Sequence, residues 1–272
     1  MISTFEYRQM ELQQLADSIS LEYSSSSAFN PESVAKQLKI TWSYGHYGNC
    51  FDGLLQHKYG RFHIFLNLDR QENKTGARMR YTFCHELAHY FIDEHRNALK
   101  NGQVVAHASF NRLAAHNIAE READFFASCL LMPSKRFRSF CNRRPICSKL
   151  IEDLAKEFGA SLSAVIFRYF HLSLSPILIV LAKEGKVVWR LYSNDFKYRG
   201  VPAKDAPVPV NTAVHEFFSS GKEYQSEEIV FADDWFTDER RVKDEQFIEK
   251  CYYLPGKKVM SVIWKKGKEI NQ

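Results

Sequence analysis

The sequence predicts an α+β protein in three parts: helices around a small antiparallel sheet over residues 1–134, a helical segment over 135–174, and a separate α+β domain over 175–272. Three observations predict this. Short aromatic and β-branched runs sit between helical patterns in the first part. The middle is basic and helical, with a glycine at its centre. Beyond Pro176 the pattern changes to paired strands with turn residues between them.

Residues 6–22 carry Met10, Leu12, Leu15, Ala16 and Ile19 at helical spacing and run into the serines 24–27, a break. Asn30 is an N-cap with Pro31 at the first helical position, and Val34, Ala35 and Leu38 form the apolar face behind it. Residues 40–47, 51–57 and 61–68 read as strands, the last two joined by a turn at Tyr59-Gly60. A helix from about Gly76 to Asp93 follows, then a polar stretch through Gly102 and a helix over about 110–131. That helix must stop at Met132-Pro133, because proline disfavours helical geometry in the residue before it. Residues 177–182 and 186–192 read as a hairpin through Glu184-Gly185, 212–219 as a helix, and 250–254 with 257–264 as a hairpin around Pro255-Gly256.

Length and composition narrow the function classes. At 272 residues the chain can hold two or three domains. Its 45% hydrophobic and 25% charged content excludes a chain disordered throughout. No apolar run reaches the ~20 residues of a membrane span, and MISTFEYRQMELQQLADS has no apolar leader core, so a cytoplasmic protein with no membrane partner is expected. Six cysteines at uneven spacing without a CxxC point to reduced thiols. The formal charge is +5, and residues 133–172 alone hold eight basic against three acidic side chains. Arg136, Arg138, Arg143, Arg144, Lys149 and Arg168 are therefore the candidate nucleic-acid contacts; the rival reading is an ordinary solvated basic face.

His85-Glu86-Leu87-Ala88-His89 is an HExxH motif inside the apolar helical pattern of Met79, Phe83, Leu87, Tyr90 and Phe91. Residues four apart on a helix are only ~40° out of phase, so His85 and His89 can share one zinc ion. Glu86 flanks that point and can act as general base on a water the metal has acidified. A catalytic zinc site needs a third protein ligand. Glu120 on the next helix is best placed, with Glu122, about 200° round that helix, and His116, one turn earlier, as alternatives. Asp124, one turn after Glu120, can accept a hydrogen bond from a liganding histidine. A thiolate from Cys84 or Cys129 could block the metal, but helical phase turns Cys84 ~100° from His85, and packing is the simpler role for both.

RYTFCHELAHYFIDEH at 80–95 and EREADFFASCLLMP at 120–133 resemble the ImmA/IrrE family of zinc metallopeptidases, whose pattern is HExxH followed by ExxA(N/D)xFAxxLLMP. Ala88 stands where a glycine is common. The resemblance implies a zincin-like fold, Zn2+ as cofactor, Glu120 as third ligand, and a helix-turn-helix repressor as substrate. Cleavage would release genes of DNA-damage response, mobile-element transfer or phage defence. Longer members imply a helix-turn-helix-like segment and a GAF-like sensor domain behind the peptidase. Residues 149–170 suit the former, with Leu154, Ala155, Gly159 and Val165 at a two-helix junction. Trp189, Tyr192, Trp235, Phe236 and Trp264 read as core or interface of the latter.

Three functions are weighed. A regulated zinc endopeptidase would hold an extended substrate along the strand at Arg61–Leu68, with single-stranded DNA as its expected activator. A DNA-binding regulator with a non-catalytic zinc site has no need of Glu86. A digestive protease does not suit a chain without a secretion signal.

Overall fold

A computed structural model describes residues 4–24, 28–71, 74, 76–103, 107–109, 117–237 and 245–267. The chain divides into two compact units, residues 1–143 with 151–168, and residues 144–150 with 169–272. The expected middle part, 135–174, is thus shared between them.

In the first unit α1 (Thr4–Tyr23) buries Leu12, Ala16 and Ile19 against α5 (Ile118–Leu131). Helix α2 (Pro31–Gln37) starts as expected, with the Asn30 side chain accepting a hydrogen bond from the Ser33 N–H. The sheet comprises β1 (Thr41–Gly45), β2 (Gly53–Lys58), β3 (Arg61–Asn67) and β4 (His107–Ser109), in the order β1-β3-β2-β4. Tyr59 and Gly60 both have positive φ, 51° and 73°, the geometry of a tight β2–β3 hairpin turn. β1 runs parallel to β3, so the sheet is mixed and not purely antiparallel. The cause is buried Asn67. Its Nδ2 donates to the carbonyls of Gly48 and Phe51, and its Oδ1 accepts from the N–H groups of Tyr47 and Asp69. These bonds pin the connection after β1 so that the chain passes β3's position and starts β2 one strand further on. β3 consequently has a neighbour on both edges and cannot accept an added strand, which removes the substrate role expected of Arg61–Leu68. The edges among the described residues are β1 and β4.

Helix α3 (Ala77–Phe91) packs on β2 and β3 and against α5. It ends at buried Ile92, and the separate helix α4 (Asp93–Lys100) follows. Helix α5 stops at Met132-Pro133, and α6 (Ser134–Cys141) begins there. Helices α7 (Ser148–Phe158) and α8 (Leu162–His171) form the expected pair, with Gly159 at φ 57° between them and Leu154 and Val165 fully buried. Arg80 of α3 fastens this turn, donating from Nη1 to the carbonyls of Phe158 and Gly159 at 2.9 and 2.8 Å.

Arg168 departs from expectation. It is fully buried, donating from Nε to the Met132 carbonyl at 2.8 Å and from Nη1 to the Gln13 side chain at 3.1 Å, so it has no surface to offer a phosphate. It closes the α5 C-terminus, where Met132 is followed by a proline that has no N–H to give.

The second unit builds a five-stranded antiparallel sheet, β6-β5-β9-β8-β7, from β5 (Leu178–Lys183), β6 (Lys186–Tyr192), β7 (Glu228–Phe231), β8 (Gln246–Leu254) and β9 (Lys258–Lys265). Helix α9 (Ala213–Ser220) packs on β8, and α10 (Ala232–Trp235) follows β7. Trp235, Phe236 and Trp264 are buried, while Trp189 and Tyr192 are half-buried. Glu249 is buried too, and accepts hydrogen bonds from the Ala213 N–H at 2.9 Å and the Ser261 hydroxyl. No helix among the described residues is long and apolar enough to cross a membrane.

Arg168→Leu should lower stability by about 2–4 kcal/mol, because it strips a buried carbonyl of its donor. Exposed Lys135→Leu should stay within ~0.5 kcal/mol. Denaturant unfolding of both variants checks the contrast.

Candidate metal centre

Helix α3 presents His85, Glu86 and His89 on its buried side. Helix α5 brings the rest. The Asn117 side chain caps it by accepting from the Ala119 N–H at 2.9 Å, which sets Glu120 in the first turn, where the helix dipole favours a carboxylate, and Asp124 one turn on.

The donors converge. His85 Nε2 lies 3.2 Å from His89 Nε2 and 3.2 Å from Glu120 Oε2, and His89 Nε2 lies 3.4 Å from Glu120 Oε1. Tetrahedral zinc with bonds of about 2.0–2.1 Å separates its ligand atoms by about 3.3–3.4 Å. Two imidazoles and one carboxylate at that spacing fit a divalent metal, and they are the one such group among the described residues. Three protein ligands leave a fourth position for water or substrate.

Orientation is supplied from behind. His85 Nδ1 lies 2.9 Å from Asp124 Oδ1, so the carboxylate accepts a hydrogen bond from Nδ1–H and keeps Nε2 turned to the centre, where a metal would replace its proton. The Tyr81 hydroxyl donates to the same Asp124 oxygen at 3.1 Å and to the Asp124 carbonyl at 3.0 Å. In the metal-free protein, burial opposes a charge on His85, but hydrogen bonds to Asp124 and Glu120 outweigh it and hold the pKa well above the ordinary histidine value.

Glu86 is fully buried beside Gly53 of β2, where an added Cβ would sit 2.6 Å from Glu86 Oε1 and 2.7 Å from a Thr82 methyl. Gly53 is a position against the candidate site that sequence reasoning missed. Glycines are ordinary at strand starts, and nothing local marks this one as the wall of the site. Glu122 faces away from the centre, bonded to Arg8 at 3.0 and 3.1 Å and to His95 at 3.2 Å. His116 lies outside the described residues. Burial pushes the Cys84 and Cys129 thiols up to about 12, so both are neutral packing groups.

Arg136 pairs with Glu157 at 2.5 Å, Arg138 and Arg143 are exposed in the first unit, half-buried Arg144 and exposed Lys149 belong to the second, and Arg168 is interior.

Metal must displace the His85 proton, so divalent-metal affinity should rise with pH, by up to about tenfold per unit, as long as that proton is bound in the free protein. Chelator competition at pH 6 and pH 8 reads the slope, and equal affinities would refute it. Glu120→Ala should weaken binding by more than the ~100-fold that loss of a supporting residue can cost, whereas His63→Ala, on the sheet, should leave it unchanged.

Residues 56–170, less than half of the chain, match the family model of peptidase M78, the IrrE N-terminal-like domain. Among solved structures, a Mycobacterium tuberculosis transcriptional regulator is similar over 94% of this chain and 76% of its own, with a TM-score of 0.62 and 12% sequence identity, a likeness of fold. No curated protein matches. The segment that holds the converging donors is thus similar to the IrrE N-terminal-like domain of the M78 peptidases, and a C-terminal α+β domain follows it.

Proposed function

We propose that the chain is a zinc-dependent endopeptidase that cuts a helix-turn-helix repressor at one site and so derepresses genes in response to DNA damage, mobile-element or phage signals. One observation carries the reading: Glu86 is buried next to three donors at tetrahedral spacing. A structural metal would not need an acid beside it. His85, His89 and Glu120 hold the ion. Zinc there would acidify an attacking water towards pKa ~7 and polarise the scissile carbonyl. Glu86 accepts the water's proton and returns it to the leaving amine. Asp124 keeps the His85 lone pair on target, and Gly53 leaves room for the Glu86 carboxylate. Of the two sheet edges among the described residues, β4 pairs with β2 at Gly53 itself, and an extended substrate segment would add there.

Single-stranded DNA is the proposed trigger, supported by the excess of basic residues over 133–172 and by exposed Arg138 and Arg143. The C-terminal unit is proposed as a GAF-like sensor, and the protein as cytoplasmic. A second reading, a DNA-binding regulator with a non-catalytic zinc site, draws on the same exposed arginines.

The test is intact-mass analysis of helix-turn-helix repressors from the same genome, incubated with zinc-loaded protein, with and without single-stranded DNA. One discrete cut is expected, slowed at least ~10²-fold by Glu86→Gln. A cut that Glu86→Gln retains would contradict the mechanism, and no cut despite bound zinc and bound DNA would favour the regulator. Gly53→Ala should retain zinc yet cut up to ~10²-fold more slowly, since it displaces Glu86 and none of the metal ligands.

A further inference from the structure

His95 has no part in the mechanism above, yet it is a buried histidine in ring contact with a metal ligand. It is 7% exposed, and its ring centroid lies 5.1 Å from that of His89. On a continuous helix, residues six apart are ~240° out of phase and face different ways. The break at Ile92, where ψ is 113°, turns α4 so that His95 comes back against His89.

The atoms then form a chain. His89 Nδ1 lies 3.2 Å from His95 Nδ1, and His95 Nε2 lies 3.2 Å from Glu122 Oε2. Arg8 of α1 grips Glu122 with a fork, Nε to Oε1 at 3.0 Å and Nη2 to Oε2 at 3.1 Å, and also pairs with Glu94 at 3.2 Å. Proton placement follows from the end of this chain. An ion-paired carboxylate accepts and does not donate, so the His95 proton sits on Nε2, facing Glu122. With that proton on Nε2, His95 Nδ1 is the accepting atom of the 3.2 Å contact, and His89 donates from its own Nδ1. That leaves the His89 Nε2 lone pair facing His85 and Glu120, as a metal ligand requires.

We infer that His95 is a positioning residue that fixes the tautomer and aim of His89, through a one-way hydrogen-bond chain anchored by Glu122 and Arg8. The inference rests on the metal-binding reading of His85, His89 and Glu120. The two imidazole ligands are then held by different chemistry, His85 by a carboxylate and His89 by a second imidazole. His95 acts through His89 and touches neither metal nor substrate.

Two measurements on the full-length protein test this. The first is zinc affinity by competition with a chromophoric chelator, with the melting temperature of each metal-free variant as a check on folding. His95→Leu should weaken zinc 10- to 100-fold, and His95→Asn, whose amide oxygen can take the place of Nδ1, should recover most of the loss. His95→Gln, whose amide reaches the Nε2 position and can keep the Glu122 bond, should stay weak. Equal affinity in all variants, or an equal loss in Leu, Asn and Gln, would overturn the inference while wild-type zinc binding left the metal site standing. If the wild-type protein bound no zinc, or bound it independently of His85, the metal reading would fail and this inference with it. The second measurement needs no variant. Long-range proton–nitrogen NMR of the zinc-loaded protein should show His89 protonated at Nδ1 and His95 at Nε2, and the opposite tautomer at either ring would refute the chain.

Discussion

Burying His85, Glu86 and His89 within two turns of one helix is the constraint that the first unit is arranged to meet. A buried polar side chain left without a partner costs roughly 1–3 kcal/mol, more if charged, so the fold has to bring partners from elsewhere in the chain. Helix α5 supplies Glu120 and Asp124 from one face because Asn117 fixes where it begins. Helix α4 supplies His95 because the helix breaks at Ile92. The sheet supplies space, since β2 starts with a residue that has no Cβ. Packing of Phe83, Leu87 and Phe126 holds these elements close enough for donors on separate helices to sit about one tetrahedral edge apart.

What could be seen in the sequence had a local cause. The Asn30-Pro31 start of α2, the Tyr59-Gly60 turn and the Met132-Pro133 stop depend on residues adjacent in the chain. The pairing of His85 with His89 follows from helical phase alone, and the facing of Glu120 and Asp124 follows from the same periodicity on the next helix. What could not be seen depends on distant partners. The parallel pairing of β1 with β3 turns on four hydrogen bonds to one asparagine, Asn67, whose side chain gives no local signal of its burial. The helix expected to reach Asp93 stops two residues earlier although neither glycine nor proline marks the break, so the sequence carries no sign that His95 returns to His89. Gly53 becomes informative only when Glu86 is placed against it.

Arg168 shows how a formal charge can mislead. An arginine in a basic stretch reads as surface, yet this one lies in the interior because a helix end followed by proline needs a donor and the guanidinium supplies it. The basic character of residues 133–172 is therefore smaller at the surface than in the sequence, and it is divided between two units. The C-terminal unit has its own core around Trp235, Phe236 and Phe247, outside the residues matched by the peptidase family.

The central claim is that His85, His89 and Glu120 hold one zinc ion beside Glu86. Anomalous diffraction from crystals of the zinc-loaded protein, recorded on both sides of the zinc absorption edge, tests it most directly. The account predicts one strong peak about 2.0–2.2 Å from His85 Nε2, His89 Nε2 and a Glu120 oxygen. A peak coordinated by cysteine sulfur, or none between α3 and α5, would contradict it.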